Sequence, residues 1–357
     1  MTDKFFELIQ ISVGARKGFC KLPTDKEWAA MLDMADKQSL TGVLLRGLEK
    51  LPNAQRPPQE LLLEWIGIQQ IVVSTNKVQD AKSKELYKWF KEKGRDSCII
   101  KGQGVARLYP QPELRQAGDI DIWVNADRDT VVDTMLTESI DVSVIDYVNC
   151  HAVFFDDVEV EVHFRPTYFF NPFANRRLQK WIQEYKYAQM ANCDDVVGFA
   201  YPTIAFNLVF SLIHIYRHVF SEGIGLRQLM DYYYILQHST ENERQAAFDI
   251  LGSFGLKKFV ATVMYMMRRV FDIEDSLLLC QPNQKEGEYL FAEILRGGNF
   301  GRYDDRNKHL PTESRMKRGI ENVKRNLRFL KHYPNEVIWA PAFKIWHWLW
   351  RKWKGYL

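Results

Sequence analysis

The spacing of apolar and polar positions divides the chain into three stretches. Residues 1–94 place apolar side chains at helical intervals. There "LPTDKEWAAMLDMADKQSLTGVLLRGLEKL" offers Thr24 and Ser39 as helix caps. Pro57 and Pro58 predict the start of a long helix and Gly94 its end, with Gly67 and the run Ile71–Val73 weakening its middle. Between residues 95 and 170 the period shortens. "SCIIKGQGVARLYP" predicts a buried strand that turns at Gly102 into a helix, and "GDIDIWV" a second strand. "NADRDTVVDTMLTE" predicts a helix capped by Asn125 or Asp127, and "HAVFFDDVEVEVHFRP" two strands joined by a tight turn at Asp156-Asp157. A linker with one helix and a short extended piece follows. From Pro202 the pattern is helical again, apart from a Gly- and Asn-rich stretch within 281–311 that reads partly as loop. This order predicts an α+β fold. A small mixed-sheet core at 95–200 is flanked by N-terminal helices at 1–94 and a C-terminal helical domain at 201–357.

Composition narrows the setting. The chain has 357 residues, 46% apolar and 26% charged, ordinary for a globular protein. A net charge of +3 gives no global field that demands a polyanion, so any basic patch is local. The five cysteines are scattered and none forms a C-x-x-C pair, which argues for reduced thiols and against cysteine-bound zinc. Glu7 and Gln10 interrupt the N-terminal apolar positions, and "AFNLVFSLIHIY" is short for a bilayer and carries Asn207 and His214. The expectation is a cytoplasmic protein with no transmembrane segment.

The chemistry concentrates in the middle stretch. Alternate side chains of a strand share a face, so Asp119 and Asp121 point one way and Ile120 and Ile122 the other. Two carboxylates so close need a cation between them, and magnesium is the natural oxygen-ligated choice. In "VEVEVHF", Glu159, Glu161 and His163 share a face. If this strand lies beside "GDIDIWV", Glu161 joins the aspartates, and three carboxylates suit two metal ions and in-line phosphoryl chemistry. Gly102 sits at a strand-to-helix turn suited to phosphate, with Lys101 beside it.

A Gly turn, an Asp-x-Asp strand and a later acidic strand, here "IIKGQG", "GDIDIWV" and "EVEVHF", resemble the nucleotidyltransferase superfamily with the DNA polymerase β fold. Lys101-Gly102, Tyr109-Pro110, Arg115, Glu161-Val162-His163, His214, His218, and Arg227 with Asp231 resemble its bacterial branch of uncharacterised nucleotidyltransferases, over roughly residues 60 to 350. The resemblance implies transfer of a nucleoside monophosphate from a nucleoside triphosphate (NTP) such as ATP to an acceptor. Asp119, Asp121 and Glu161 would be the catalytic, magnesium-binding acids, with two ions when the NTP is bound and Glu161 near the acceptor hydroxyl. Lys101, Gly102, Gln103 and Arg115 would contact the nucleotide phosphates, although Gln103 replaces the usual Ser or Gly. His163, His214, His218, Arg227 and Asp231 would lie toward the acceptor: a small molecule, protein or RNA. Bland readings stand beside these: a side chain snorkelling to water for Lys101, a pair with a nearby acid for Arg115, a hydrogen bond orienting an acid for His163, packing or hydrogen bonding for the two α-helical histidines, and an intrahelical ion pair for Arg227 and Asp231. Two other functions use the same acids, a catalytically silent nucleotide-binding or regulatory module and a metal-dependent phosphohydrolase. Residues 315–354 hold eleven Lys or Arg, two Glu and five Trp. That segment suits packing on the preceding helices, contact with an anionic membrane surface, or contact with nucleic-acid phosphates.

Overall fold

The computed structural model describes residues 2–304, 306 and 323–356. Two compact units each gather several stretches of chain. The first comprises Met1–Val78, Ala106–Ala117 and Glu222–Asp304, the second Gln79–Val105, Gly118–Ser221 and Asp305–Leu357. Among the described residues the fold is α+β, with many helices and one five-stranded mixed sheet.

The first unit is helical: α1 (Thr2–Val13), α2 (Asp25–Lys37), α3 (Thr41–Lys50) and the first part of α4 (Gln59–Glu92), then four later helices numbered below in chain order. Thr24 caps α2 through a reciprocal capping box with Glu27. Ser39 does not cap α3. It takes a left-handed φ of 55°, and Leu40 occupies the cap position without a side-chain bond. The chain reverses so abruptly there that a turn residue, not a cap, is required. The long helix runs unbroken through Gly67 and Ile71–Val73. Trp65 anchors it, fully buried with Nε1 donating to the Thr41 carbonyl at 2.8 Å. Tertiary packing thus outweighs the weak propensity of a glycine and β-branched residues.

In the second unit, the last turns of α4 reach Gly94, whose φ of 69° lets the chain leave the helix. The sheet has the order β1-β2-β5-β4-β3: β1 (Ser97–Ile100), β2 (Ile120–Val124), β3 (Val142–Ile145), β4 (Asn149–Ala152) and β5 (Val160–His163). β2 and β5 are parallel, and the other neighbours are antiparallel. α5 (Gly102–Ala106) follows β1. α6 (Arg128–Thr137) follows β2 and is capped by Asp127, whose carboxylate accepts from Thr130 N. Two sequence expectations change here. The edge strand β3 is additional to the expected strands, although Ile140, Val142 and Val144 alternate with Asp141 and Ser143. The link between β4 and β5 is also longer than a tight turn at Asp156-Asp157, because Phe154 leaves the strand to pack on Trp89 and Phe90 of α4.

One face of the sheet is apolar. Ile120, Ile122, Val160 and Val162 join Phe90, Ile99 and Val131 in a continuous core. Each such side chain contributes about 1.5–3 kcal/mol on burial. A one-residue slip would exchange the faces and drive Asp121 and Glu161 into that core, so the register is strongly specified. On the other face Trp123 stacks on Phe206 of α8 (Ile204–Ser221), which follows α7 (Pro172–Ala191) and the two-strand pair β6 (Cys193–Asp194) and β7 (Phe199–Ala200). α8 is the one helix among the described residues long and apolar enough to cross a membrane, and 61% of it is buried inside the fold. The later helices are α9 (Leu226–Gln237), α10 (Glu241–Ser253), α11 (Lys257–Phe271), α12 (Gln284–Gly297) and α13 (Pro334–Lys354). α12 fills much of the stretch that reads partly as loop. The part of the basic segment at 315–322 lies outside the described residues.

Candidate active site

The acids come together through strand register. Asp121 on β2 lies directly opposite Glu161 on β5, and Trp123 opposite His163. His163 Nε2 is 2.7 Å from Asp121 Oδ1 and 3.3 Å from Glu161 Oε2, and its Nδ1 is 3.3 Å from the Arg165 carbonyl. Lys101 Nζ is 2.5 Å from the same Asp121 oxygen. Lys101 reaches it because β1 ends beside β2, with Ile100 paired to Asp121. The chain then turns through left-handed Lys101 (φ 56°) and Gly102 (φ 25°) into α5. Gly104 completes the turn: a Cβ there would lie 2.3 Å from the Ile99 carbonyl oxygen, so only glycine lets α5 close onto β1. Gln103, half-buried, stands between these two glycines.

Two residues of β4 belong to the same cluster although sequence reasoning passed over them. Asn149 Nδ2 donates to Glu161 Oε2 at 2.5 Å, and His151 Nε2 is 3.6 Å from Glu161 Oε1. The signal was present in "NCHA", where Asn149 and His151 alternate with Cys150 and Ala152 of the core. Glu159, the same-face competitor of Glu161, is exposed just before β5.

The electrostatics follow from burial and crowding. The charge of Asp121, aided by desolvation, pushes Asp119 up to about 6, against the pull of Lys101. Burial also works to raise Glu161, but the hydrogen bond from His163 and the charges of Lys101, His163 and His151 hold it well below the ordinary carboxylate range. His163 would be driven down by burial, yet its bonds to Asp121 and Glu161 raise it. Burial likewise opposes the Lys101 ammonium, and the carboxylates of Asp121, Glu161 and Asp119 raise it. Glu161 thus favours the charged forms of Lys101 and His163, and they favour its own.

A stability prediction follows for the metal-free protein. Folded Asp119 binds its proton more tightly than the unfolded chain does, so between its ordinary 3.8 and about 6 its contribution to stability falls as the pH rises. Asp119→Asn removes that slope. In the presence of a chelator, its Tm relative to the unsubstituted protein is expected to climb from pH 4 to pH 6 and then level off. A constant difference across that window would contradict the assignment.

The family model described as "Uncharacterised nucleotidyltransferase" matches residues 24–272. The chain belongs to this family. The match starts earlier than the motifs alone suggest, takes in α2 and α3, and ends at the close of α11. No curated protein matches the sequence. Among solved structures, an antigenic nucleotidyltransferase-like protein from Paracoccidioides brasiliensis is 13% identical, with a TM-score of 0.36 over 58% of this chain and 96% of that one. A likeness of that size carries no argument for fold or mechanism.

For a nucleotidyltransferase the donor set is apt. One ligand atom from each of Asp121, Glu161 and His163 lies within 4.8 Å of the others, and two of the three are carboxylate oxygens. Asp119 precedes β2 and is outside this closest group, although its raised proton affinity places it in the field of Asp121. The residues fit a divalent cation, and Lys101 already brings a positive charge to the same oxygen. His214 and His218 lie on α8 with ring centroids 4.2 Å apart. Burial, then the charges of His218, Lys101, Arg217 and His163, push His214 well below its ordinary value, so it is a neutral imidazole.

The remaining expected residues lie in the first unit. Arg115, 4% exposed, commits Nε and Nη2 to the two Asp231 oxygens at 2.7 and 2.8 Å, and Tyr109 donates to Oδ1 at 2.6 Å. Arg227 donates to the Gln116 carbonyl at 2.9 Å. Asn76 Nδ2 holds the Glu113 and Arg115 carbonyls. Asp231 is therefore taken up by Arg115 from the loop before β2, a long-range pairing that helical spacing could not suggest.

Proposed function

We propose that this nucleotidyltransferase moves a nucleoside monophosphate from an NTP to an acceptor hydroxyl or phosphate, with magnesium held by Asp119, Asp121 and Glu161. The bond from the α-phosphorus to the β-phosphate oxygen breaks, the acceptor oxygen bonds to that phosphorus, and pyrophosphate leaves. The observation that carries the reading is the register of Asp121 opposite Glu161, next to the turn at Lys101 and Gly102. Bound magnesium would neutralise charge on the triphosphate oxygens.

The chain's own residues supply positioning and fixed charge. Lys101 offers the phosphates an ammonium, and the backbone N–H groups after it offer hydrogen bonds. His163 fixes Asp121, and Asn149 with His163 fixes Glu161. Glu161, kept ionised, accepts a hydrogen bond from the attacking hydroxyl and orients it; its low proton affinity makes it a weak base, so the released proton passes to the departing pyrophosphate or to water. His214, being neutral, both donates and accepts, which suits the acceptor side. Arg115 and Asp231 act in this reading by holding the loop before β2.

Calorimetry with each NTP, with and without magnesium, tests binding without knowledge of the acceptor. Magnesium-dependent binding that a chelator abolishes is expected. α-Phosphate-labelled NTP then distinguishes the reactions: pyrophosphate with label in an acceptor supports transfer, and phosphate release with no labelled adduct supports a phosphohydrolase. No NTP binding under any condition would end the proposal.

A further inference from the structure

α13 has two faces. The inward one is tied to the second unit: Phe343 stacks on Tyr168 with centroids 4.9 Å apart, and His347 Nε2 is 3.0 Å from Asp146 Oδ1. Glu336, buried, accepts from Phe170 N at 2.7 Å. The outward face is apolar and exposed. Ile338, Ile345, Leu349 and Trp353 follow one another at helical spacing along it, 53–79% exposed, and Trp346 and Trp348 flank them. Nothing among the described residues covers it.

We propose that this face docks the protein on an anionic lipid surface, with α13 lying in the plane of the interface. Charge decides between occupants. Residues 323–356 contain eight Lys or Arg and a single carboxylate, Glu336, which is buried facing inward. Lys352 and Lys354 hold their Nζ atoms 5.6 Å from the ring centroids of Trp348 and Trp353, so cations stand at the rim of the apolar face, Lys354 also lying 3.7 Å from Asp129 Oδ2 and Lys352 being, among the described residues, the uncommitted one of the two. A second copy of the same face would bring no carboxylate to these lysines, because Glu336 is buried. Nucleic acid would meet the lysines but gain little from a centre of Ile338, Ile345 and Leu349. An anionic bilayer satisfies both parts: headgroups take the lysines, tryptophan rings sit at the headgroup level, and the aliphatic side chains enter the acyl region. A helix of 21 residues presents this contact over about 30 Å. The second unit is fixed to it through the inward face.

The test is co-sedimentation of the full chain with phosphatidylcholine vesicles, with and without phosphatidylserine. Binding only to the phosphatidylserine vesicles, weakening as salt is raised, is expected. Ile345→Asp with Leu349→Asp is expected to abolish it, and Lys352→Gln with Lys354→Gln to weaken it by roughly tenfold or more. All four positions are solvent-exposed, and an unchanged melting curve checks that the variants fold. Trp353→Ser, at the most exposed tryptophan of the helix, provides a milder variant that is also expected to bind less. Failure of the unsubstituted protein to bind, or equal binding by Ile345→Asp/Leu349→Asp, overturns the proposal. So does concentration-dependent dimerisation, or nucleic-acid binding, that these substitutions remove while vesicle binding is absent.

Discussion

Asp121→Asn is expected to lower nucleotidyl transfer by about 1000-fold or more, close to 4 kcal/mol of transition-state stabilisation. Asp121 is 4% exposed and its Oδ1 is shared by Lys101 and His163. Asparagine keeps the shape and removes the charge. In the free protein two effects then oppose each other. Lys101 and His163 lose a partner, while Asp119 and Glu161 lose a repelling neighbour. Lys101 still faces Glu161 and Asp119, so the fold survives and Tm shifts little. Asp119, whose largest perturbation is the Asp121 charge, should titrate lower than about 6 in this variant. Pyrophosphate release and thermal unfolding, measured side by side, separate lost chemistry from lost structure. An Asp121→Asn protein that turns over normally would remove Asp121 from the active site.

The largest stability effect is expected at Asp231, in the first unit. Asp231→Ala leaves the buried Arg115 guanidinium and the Tyr109 hydroxyl without their shared acceptor, at a cost of about 3–5 kcal/mol. Asp231 charge raises Arg115 even against the desolvation that would lower it. Replacing both ends together, Arg115→Met with Asp231→Leu, should cost much less, because an apolar pair leaves no buried charge unmatched. Tyr109→Phe should cost about 1.5–3 kcal/mol, the range for a bond to a charged acceptor. Urea unfolding of Arg115→Met, Asp231→Leu and the variant carrying both gives the coupling directly. Additive losses would mean that the ion pair contributes nothing to stability.

Much of the sheet was legible because its signals are local. Alternation in "GDIDIWV" and "EVEVHF" puts apolar side chains on one face and acids on the other, and pairing β2 with β5 needs only that the apolar faces share a core. Thr24, Asp127 and Gly94 announce helix ends because caps act over three or four residues. Gly104 escaped notice because its constraint is the Ile99 carbonyl, which sequence spacing does not bring into view. β3 escaped although Ile140, Val142 and Val144 alternate with polar residues, because four residues of a half-buried edge strand make too short a pattern to stand out.

By itself the sequence pointed to the kind of chemistry: carboxylates at alternate positions of two strands, a glycine turn ahead of them, and a family whose model matches most of the chain. Only the tertiary structure decided the partners. It brought Lys101 and His163 to one oxygen of Asp121, Asn149 to Glu161, and Arg115 to Asp231, 116 positions away. It also turned one face of α13 outward. The physical reason is range. Backbone periodicity dictates which face a residue takes within its own element, whereas buried charges are satisfied by whichever groups the packing of distant segments brings within hydrogen-bonding distance.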